Sequence, residues 1–200
     1  LVKDFETKAN EIFDTAHYKV TFTGSTITFL EGSSFIIKGL QESIVWAFLL
    51  IALCMLYLFR SIRILLCSLI PNVIPLVITA GLMGFFGIPI KPSTILVFSI
   101  AFGISVDDTI HFLAKYRQEL IANNWKIRKS VYAALRETGI SMFYTSIVLF
   151  FGFLVFTVSS FGGTIALGGL VSFTLLLAMV SNLLLLPSLL LTFEDKIDSI

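Results

Sequence analysis

Two adjacent carboxylates, Asp107 and Asp108, stand inside a long apolar stretch of this chain. An Asp at the centre of a membrane helix costs about 2.5 to 3.5 kcal/mol, so a charged pair facing lipid would cost roughly 5 to 7 kcal/mol. The pair must therefore face a bundle interior, be paired, or be protonated. Low dielectric and the neighbouring like charge both favour the neutral form of at least one Asp. A carboxyl group poised to exchange a proton inside a membrane is what a proton relay requires.

His111 lies one helical turn after the acidic pair, at i+4 from Asp107 and i+3 from Asp108. It either hydrogen-bonds the pair or extends a proton path towards the cytoplasm. A metal site is disfavoured, because a second helix would have to supply further ligands and offers no acidic residue or histidine for this. We therefore expect neither a metal nor a cofactor.

Small and polar residues around the pair indicate what packs against it. Gly103 and Ser105 precede the pair, and small residues let another helix approach closely. Tyr144, Thr145 and Ser146 lie in another apolar stretch and are the best candidate polar partners of the carboxylates. Ordinary hydrogen bonding between helices would explain these three equally well.

The composition requires a membrane around this site. Hydrophobic residues make up 56% of the chain and charged residues only 14%, against about 25% in a soluble domain. The charges lie in the N-terminal segment, in a few short connectors and at the C-terminus, with long apolar runs between them. The net charge of +1 and the lack of a basic cluster give no reason to expect a nucleic-acid partner.

The apolar runs predict an all-α membrane fold of about five transmembrane helices. The spans are residues 44–59, 64–86, 93–113, 139–158 and 164–193, within a transmembrane domain of residues 42–196. Residues 117–136 interleave apolar and basic residues, which predicts a helix lying on the cytoplasmic membrane surface with Trp125 at the interface.

Residues 1–41 are predicted to be the end of an external domain that contains both helix and strand. Residues 2–16 could form an amphipathic helix, and residues 18–23 alternate as a strand does. A lone strand is not stable, so its partners must lie before Leu1. Basic residues crowd the connectors on one side of the predicted spans, and the positive-inside rule makes that side cytoplasmic and residues 1–41 external.

The acidic segment resembles a known family. Residues 103–112, GISVDDTIHF, followed by Tyr116-Arg117, are similar to the acidic fourth or tenth transmembrane helix of resistance–nodulation–division (RND) transporters, and above all of their MMPL-like exporter branch. Three further segments of the chain resemble the same family: Ala134 to Gly139 (ALRETG), Thr145-Ser146 followed by Gly152-Phe153, and Leu186 to Leu190 (LPSLL).

The resemblance implies that the chain belongs to one half of a larger transporter. Such transporters have two similar halves of six spans, each with an external domain inserted after its first span. This chain resembles the end of one external domain and the last five spans of the C-terminal half. The expected partners are the lipid bilayer, the remaining half of the transporter, a homo-oligomer in some arrangement, and a hydrophobic or lipid-like substrate. The expected location is the bacterial inner membrane.

In the family, the acidic pair relays protons and couples proton influx to export of hydrophobic or amphiphilic compounds, lipids included. That role carries over to Asp107 and Asp108, and with less support to His111. The energy source is then a proton gradient, and the chain is not expected to be an enzyme. Two alternatives stay open: a sterol- or lipid-sensing-like module and a protein-translocation helper. An intramembrane aspartyl protease needs its two Asp on different helices, whereas these are adjacent on one.

Overall fold

Helices make up all the regular structure of the part of the chain that the computed structural model describes, which is residues 23–59 and 61–194 with Lys8 and Ile12. The long helices are α1 (Ser25–Phe59), α2 (Ile62–Phe85), α3 (Pro92–Ala122), α4 (Ile127–Leu154) and α5 (Gly162–Glu194), and a 3-10 turn (Val155–Val158) follows α4. Within the described residues, five helices are long and apolar enough to cross a membrane. The predicted all-α membrane fold with five spans is thereby confirmed.

The chain divides into two units, Leu1–Gly39 and Leu40–Ile200. The helix bundle that carries the acidic pair belongs to the second unit, and the contacts between helices that position the pair all lie within that unit. The proposed domain limits, an external domain of residues 1–41 and a transmembrane domain of residues 42–196, remain a prediction.

The external α/β segment finds no support in the structure. Residues 25–41 are helical, because α1 begins at Ser25, directly after Gly24 with its φ of +147°. Gly32 and Gly39 lie inside this helix at the usual entropic cost of a helical glycine. No strand occurs among the described residues; of the predicted strand, only Thr23 is described, and the predicted helix 2–16 is described only at two helical positions.

The predicted surface helix, residues 117–136, is wrong. Its first residues continue α3 to Ala122 and its last ones begin α4 at Ile127, so that a turn stands where the helix was expected to run. Asn124 and Trp125 adopt the left-handed conformation there, with φ of 53° and 63°. Two apolar residues of the segment, Val131 and Ala134, are fully buried and serve contact between the two helices, whereas Ile121, Trp125 and Tyr132 are exposed.

The bundle has two apolar clusters separated by a polar layer. The larger cluster includes Phe112, Leu113 and Leu186, and the smaller one consists of Val97, Val171 and Leu175. Between them in the sequence of both α3 and α5 lie buried polar residues. These are Ser105 and Thr109 on α3 and Ser181 and Asn182 on α5, and Asn72 on α2 joins them.

Prolines help to attach α2 to α5. Pro75 has no N–H, so the carbonyl of Pro71, four residues earlier, receives no helical hydrogen bond from it. The hydroxyl of Ser181 on α5 donates to that carbonyl at 2.7 Å. Further along the same pair of helices, the hydroxyls of Thr79 and Thr174 are 2.7 Å apart. Polar contacts of this kind hold helices together where surrounding lipid is as apolar as the packed side chains.

Candidate functional site

Two faces of α3 differ sharply in chemistry. One carries Ser105 and Thr109, which are buried at 2% and 0% exposure. The other carries Gly103, Asp107 and His111, which are exposed and spaced four residues apart. Because a helix turns by about 100° per residue, Asp107 stands about 200° from both Ser105 and Thr109. Asp107 therefore faces away from the polar layer of the bundle, whereas Asp108, about 60° from Ser105 and about 100° from Thr109, lies between the two faces.

The acidic face of α3 forms one wall of a groove between α3 and α4, with a cavity of about 640 Å³. We call this the α3–α4 groove. Its lining runs from apolar residues at one end to polar and charged residues at the other. The lining residues on α3 are Gly103, Ile104, Asp107, Asp108, His111, Ala114, Lys115 and Gln118, and those on α4 are Thr138, Ser141, Met142, Thr145 and Leu149. The groove can hold water or a ligand group beside both carboxylates.

Asp107 and His111 form a charged contact inside the groove. The Nε2 atom of His111 lies 3.6 Å from Oδ1 of Asp107, and both side chains are more than 70% exposed. That distance is too long for a hydrogen bond but suits an ion pair when the imidazole is protonated. Asp108 is the more shielded of the two carboxylates, since its side chain is only partly exposed.

Behind the acidic face, four polar side chains from three helices meet. The hydroxyl of Ser105 donates to Oδ1 of Asn72, and the hydroxyl of Thr109 lies 3.1 Å from that oxygen and 3.2 Å from Oδ1 of Asn182. The amide of Asn182 donates to the carbonyl oxygen of Ser105 at 3.1 Å, and that of Asn72 to the carbonyl oxygen of Ser68 at 2.7 Å. We call Asn72, Ser105, Thr109 and Asn182 the amide clamp.

Charged residues tie α3 to α4 where the groove ends. The ammonium of Lys115 contacts the carboxylates of Glu119 on its own helix and Glu137 on α4. The hydroxyl of Ser130 donates to the carbonyl oxygen of Glu119 at 3.1 Å or that of Lys126 at 2.8 Å. These contacts close the connection between α3 and α4 beside the more polar end of the groove.

The three candidate polar partners on α4 are placed differently from one another. Thr145 lines the groove, although its hydroxyl bonds to the carbonyl oxygens of Ser141 and Met142 on its own helix. Ser146 is buried, at 3% exposure. Tyr144 is exposed and its ring meets that of Phe143 edge to face, with centroids 5.9 Å apart. Of the three, only Thr145 shares the groove with the carboxylates.

The two small residues expected to serve packing also differ. Gly103 lines the groove, and apart from its own helix no described atom lies within 4 Å of where a Cβ would stand. No described helix therefore approaches it closely. Ser105 is buried and belongs to the amide clamp, so its small side chain does serve contact between helices, through hydrogen bonds.

Two amides of the clamp were not among the residues predicted from the sequence. Asn72 and Asn182 are 1% and 0% exposed, at the centre of otherwise apolar helices. A buried amide without partners costs several kcal/mol in an apolar surrounding, so its presence in a membrane helix points to a partner on another helix. The spacing of Ser105 and Thr109, one turn apart, would have indicated which face of α3 meets such partners, though not which residues they are.

Comparisons with known proteins agree with this architecture. The sequence model of the MMPL family matches residues 2–196. Membrane protein MJ1562 of Methanocaldococcus jannaschii is 28% identical over 147 residues, which are 74% of this chain and 38% of that protein. The chain thus spans well under half the length of that relative. With its five apolar helices, it is part of a multi-pass integral membrane protein.

Proposed function

This chain belongs to the MMPL family, and on that premise we propose that it is part of a proton-driven membrane exporter of hydrophobic or amphiphilic compounds, with Asp107 and Asp108 as its proton relay. Family membership by itself indicates a role in membrane transport. The observation that carries the finer proposal is the α3–α4 groove, which has both carboxylates and His111 on one wall, halfway along a helix able to cross the membrane.

The relay needs groups that take up and release a proton within the bilayer. Asp107 lies about 22 Å from either end of α3, at a rise of about 1.5 Å per residue. A carboxyl group that can exchange a proton within an apolar helix is what such a relay requires. The Nε2 atom of His111 lies 3.6 Å from Oδ1 of Asp107, so it can take the proton when the two side chains move closer or a water bridges them, and can pass it towards the polar end of the groove.

Thr145 is the remaining candidate for a relay partner on α4. It lines the groove, and its hydroxyl can turn from its own helix towards a carboxylate, because a threonine hydroxyl both donates and accepts. Ser146 and Tyr144 do not line the groove and are therefore weaker candidates for relay partners.

The groove is open on the surface of the chain, so a partner is needed to cover it within the membrane. A charged Asp that faced lipid would cost about 2.5 to 3.5 kcal/mol. We infer that the remaining half of the transporter, or failing that a second copy, covers the groove and keeps lipid away from Asp107. The cytoplasmic membrane, across which a proton gradient is maintained, is the proposed location.

Conservative substitutions test the relay. The full-length protein is reconstituted in vesicles, and movement of a fluorescent phospholipid analogue is followed after a pH gradient is imposed. Asn keeps the volume and hydrogen-bonding capacity of a protonated Asp but cannot exchange a proton. Asp107→Asn and Asp108→Asn should therefore abolish gradient-driven movement, whereas the control Tyr144→Phe, outside the groove, should retain it.

Insertion of each variant is checked by its elution as a single folded species in detergent. Movement at the wild-type rate in both Asp variants, with the gradient still required, would remove these residues from the mechanism. Movement that needs no gradient would favour a lipid-sensing module or a translocation helper over proton-driven export.

A further inference from the structure

In the amide clamp, two amides from different helices bind to α3. Asn72 approaches from α2 and Asn182 from α5, and both reach the same two residues, Ser105 and Thr109. The side-chain oxygens of both amides lie close to the hydroxyl of Thr109, at 3.1 and 3.2 Å. All four residues are at most 2% exposed, so no water competes for these contacts.

The hydrogen bonds of the clamp specify one rotation of α3. The single hydroxyl proton of Thr109 can go to Asn72, to Asn182 or to the carbonyl oxygen of Ser105 at 3.0 Å. A turn of α3 by one residue, about 100°, would carry both hydroxyls away from the amides. The side-chain oxygens of both amides and the NH2 group of Asn182 would then be buried without the partners that α3 supplies, whereas Asn72 would keep its bond to the carbonyl oxygen of Ser68. Such unpaired buried groups cost more than a typical hydrogen bond contributes.

The apolar clusters on either side of the clamp give no comparable constraint. Contacts among residues such as Val97, Phe112 and Leu175 depend on buried area and are not directional. Hydrogen bonds require donor and acceptor to be aligned. Between the two apolar clusters, the contacts of the clamp therefore distinguish one rotation of α3 from the next, and the contacts of Lys115 with Glu137 and of Ser130 with Glu119 add to them at the end of the helix.

We propose that Asn72 and Asn182 are positioning residues: through Ser105 and Thr109 they fix the rotation of α3 and keep Asp107 and Asp108 in the α3–α4 groove. The functional role of the clamp rests on the proposed function, in which the two carboxylates relay protons. The rotation itself is a structural quantity that can be measured without any transport assay. The clamp sets the direction of the Asp107 side chain, because Asp107 is two residues from both Ser105 and Thr109 on the same helix.

Cysteine labelling at position 103 reports the rotation. Gly103 lies four residues before Asp107 on the same face, and a side chain added there meets open space. Gly103→Cys is introduced with Cys54→Ala, because Cys54 is the exposed one of the two cysteines in this chain. The rate of reaction with N-ethylmaleimide is measured in detergent on the full-length protein. Ser141→Cys is the matched control: it lies on the α4 wall of the same groove, so a rotation of α3 does not move it.

A pair of substitutions at Thr109 isolates the hydroxyl. Thr109→Val keeps the shape and removes the hydrogen bonds, whereas Thr109→Ser keeps the hydroxyl. Thr109→Val should shift the equilibrium between rotations of α3 about threefold away from the groove-facing one, as loss of one typical hydrogen bond in a membrane bundle allows, and the labelling rate at position 103 should fall with that population. Thr109→Ser should label like the wild type, and so should position 141 in both variants. Asn72→Leu combined with Asn182→Leu should lower the rate further.

Cys67 serves as an internal reporter of packing, because it is 1% exposed and lies on α2 within the larger apolar cluster. It should stay unreactive in every variant. Unchanged labelling at position 103 in Thr109→Val and in the double variant would overturn the proposal. So would labelling of Cys67 in step with the loss at position 103, because the clamp would then only hold the bundle together.

Transport measurements keep this inference separate from the proposed function. Thr109→Val should also reduce gradient-driven movement of the phospholipid analogue, and Thr109→Ser should restore it. Altered labelling together with full transport in Asp107→Asn would leave the clamp standing and remove the relay. Loss of transport in Asp107→Asn with unaltered labelling in Thr109→Val would leave the relay standing and remove the clamp.

Discussion

The carboxylate of Asp107 and the hydroxyl of Thr109 stand on opposite sides of α3, two residues apart in the sequence. The side chain of Asp107 is 71% exposed in the α3–α4 groove. Thr109 is fully buried, with the side-chain oxygens of Asn72 and Asn182 within 3.2 Å of its hydroxyl. α3 thus carries titratable groups on one face and neutral hydrogen-bonding groups on the other. Any rotation of α3 that moves Thr109 therefore moves Asp107 as well.

Gly168 on α5 is predicted to be the least replaceable glycine of the bundle. A Cβ at this position would lie 2.7 Å from the carbonyl oxygen of Phe153 and 2.7 Å from Cβ of Phe156. Since a backbone atom cannot move aside cheaply, Gly168→Ala should lower the free energy of unfolding by about 1 to 3 kcal/mol. Thermal unfolding in detergent, followed by circular dichroism, measures the change.

The neighbouring glycine provides the control for that substitution. A Cβ at Gly169 would meet only the methyl group of Thr157, at an ordinary contact distance of 3.9 Å. Gly169→Ala should therefore change the stability by less than about 0.5 kcal/mol. Equal midpoints for the two variants would mean that α5 does not approach α4 at Gly168 as closely as described.

The connections between the helices are predicted to alternate across the membrane. Lys129 stands at the start of α4, in the basic region beside the α3–α4 turn, and Ser160 lies in the turn between α4 and α5. Both are exposed, so Lys129→Cys and Ser160→Cys should react freely. By the positive-inside rule, an impermeant maleimide should reach position 129 only from the cytoplasmic side and position 160 only from outside. Reaction of both from one side is incompatible with this topology.

Trp125 is predicted to stand in water rather than among lipid headgroups. The 31 residues of α3 extend for about 46 Å, and a hydrocarbon core is only about 30 Å thick. The turn that holds Trp125 should therefore project beyond the membrane, since the side chain is 72% exposed there. In a Trp46→Phe background, the fluorescence of Trp125 should be quenched by iodide and not by lipids with brominated acyl chains.

Trp46 supplies the comparison for this measurement. It lies in α1 and is 71% exposed on an apolar helix able to cross a membrane, so brominated lipids should quench it in a Trp125→Phe background. Equal quenching of both tryptophans by brominated lipids would restore the surface location that the sequence first suggested for Trp125.

The sequence predicted those features that depend on length and burial cost alone. Five apolar runs have to become five helices, because backbone polar groups in lipid have no other partners. Asp107 and Asp108 stood out because charge is expensive there. The direction in which the pair faces depends instead on Asn72 and Asn182, which are 35 and 75 residues away from Asp107 along the chain. No periodicity within α3 shows that these amides meet it.

The surface helix failed for a similar reason. Interleaved apolar and basic residues suit a helix on a membrane, but they suit two helix ends that pack on each other equally well. Ser130, Val131 and Ala134 are buried against the end of α3, whereas Arg128 and Lys129 are exposed. The overlooked local signal was Asn123-Asn124, since asparagine is one of the few residues that readily adopts the left-handed conformation of such a turn.

Protons are predicted to move through Asp107 and Asp108 when substrate moves. The most direct test measures the protons themselves, with a pH-sensitive dye inside vesicles that contain the full-length protein and the fluorescent phospholipid analogue. The wild type should carry protons down an imposed gradient only while the analogue moves, and Asp108→Asn should carry none although it inserts and folds. Proton movement through Asp107→Asn and Asp108→Asn at the wild-type rate would contradict this mechanism.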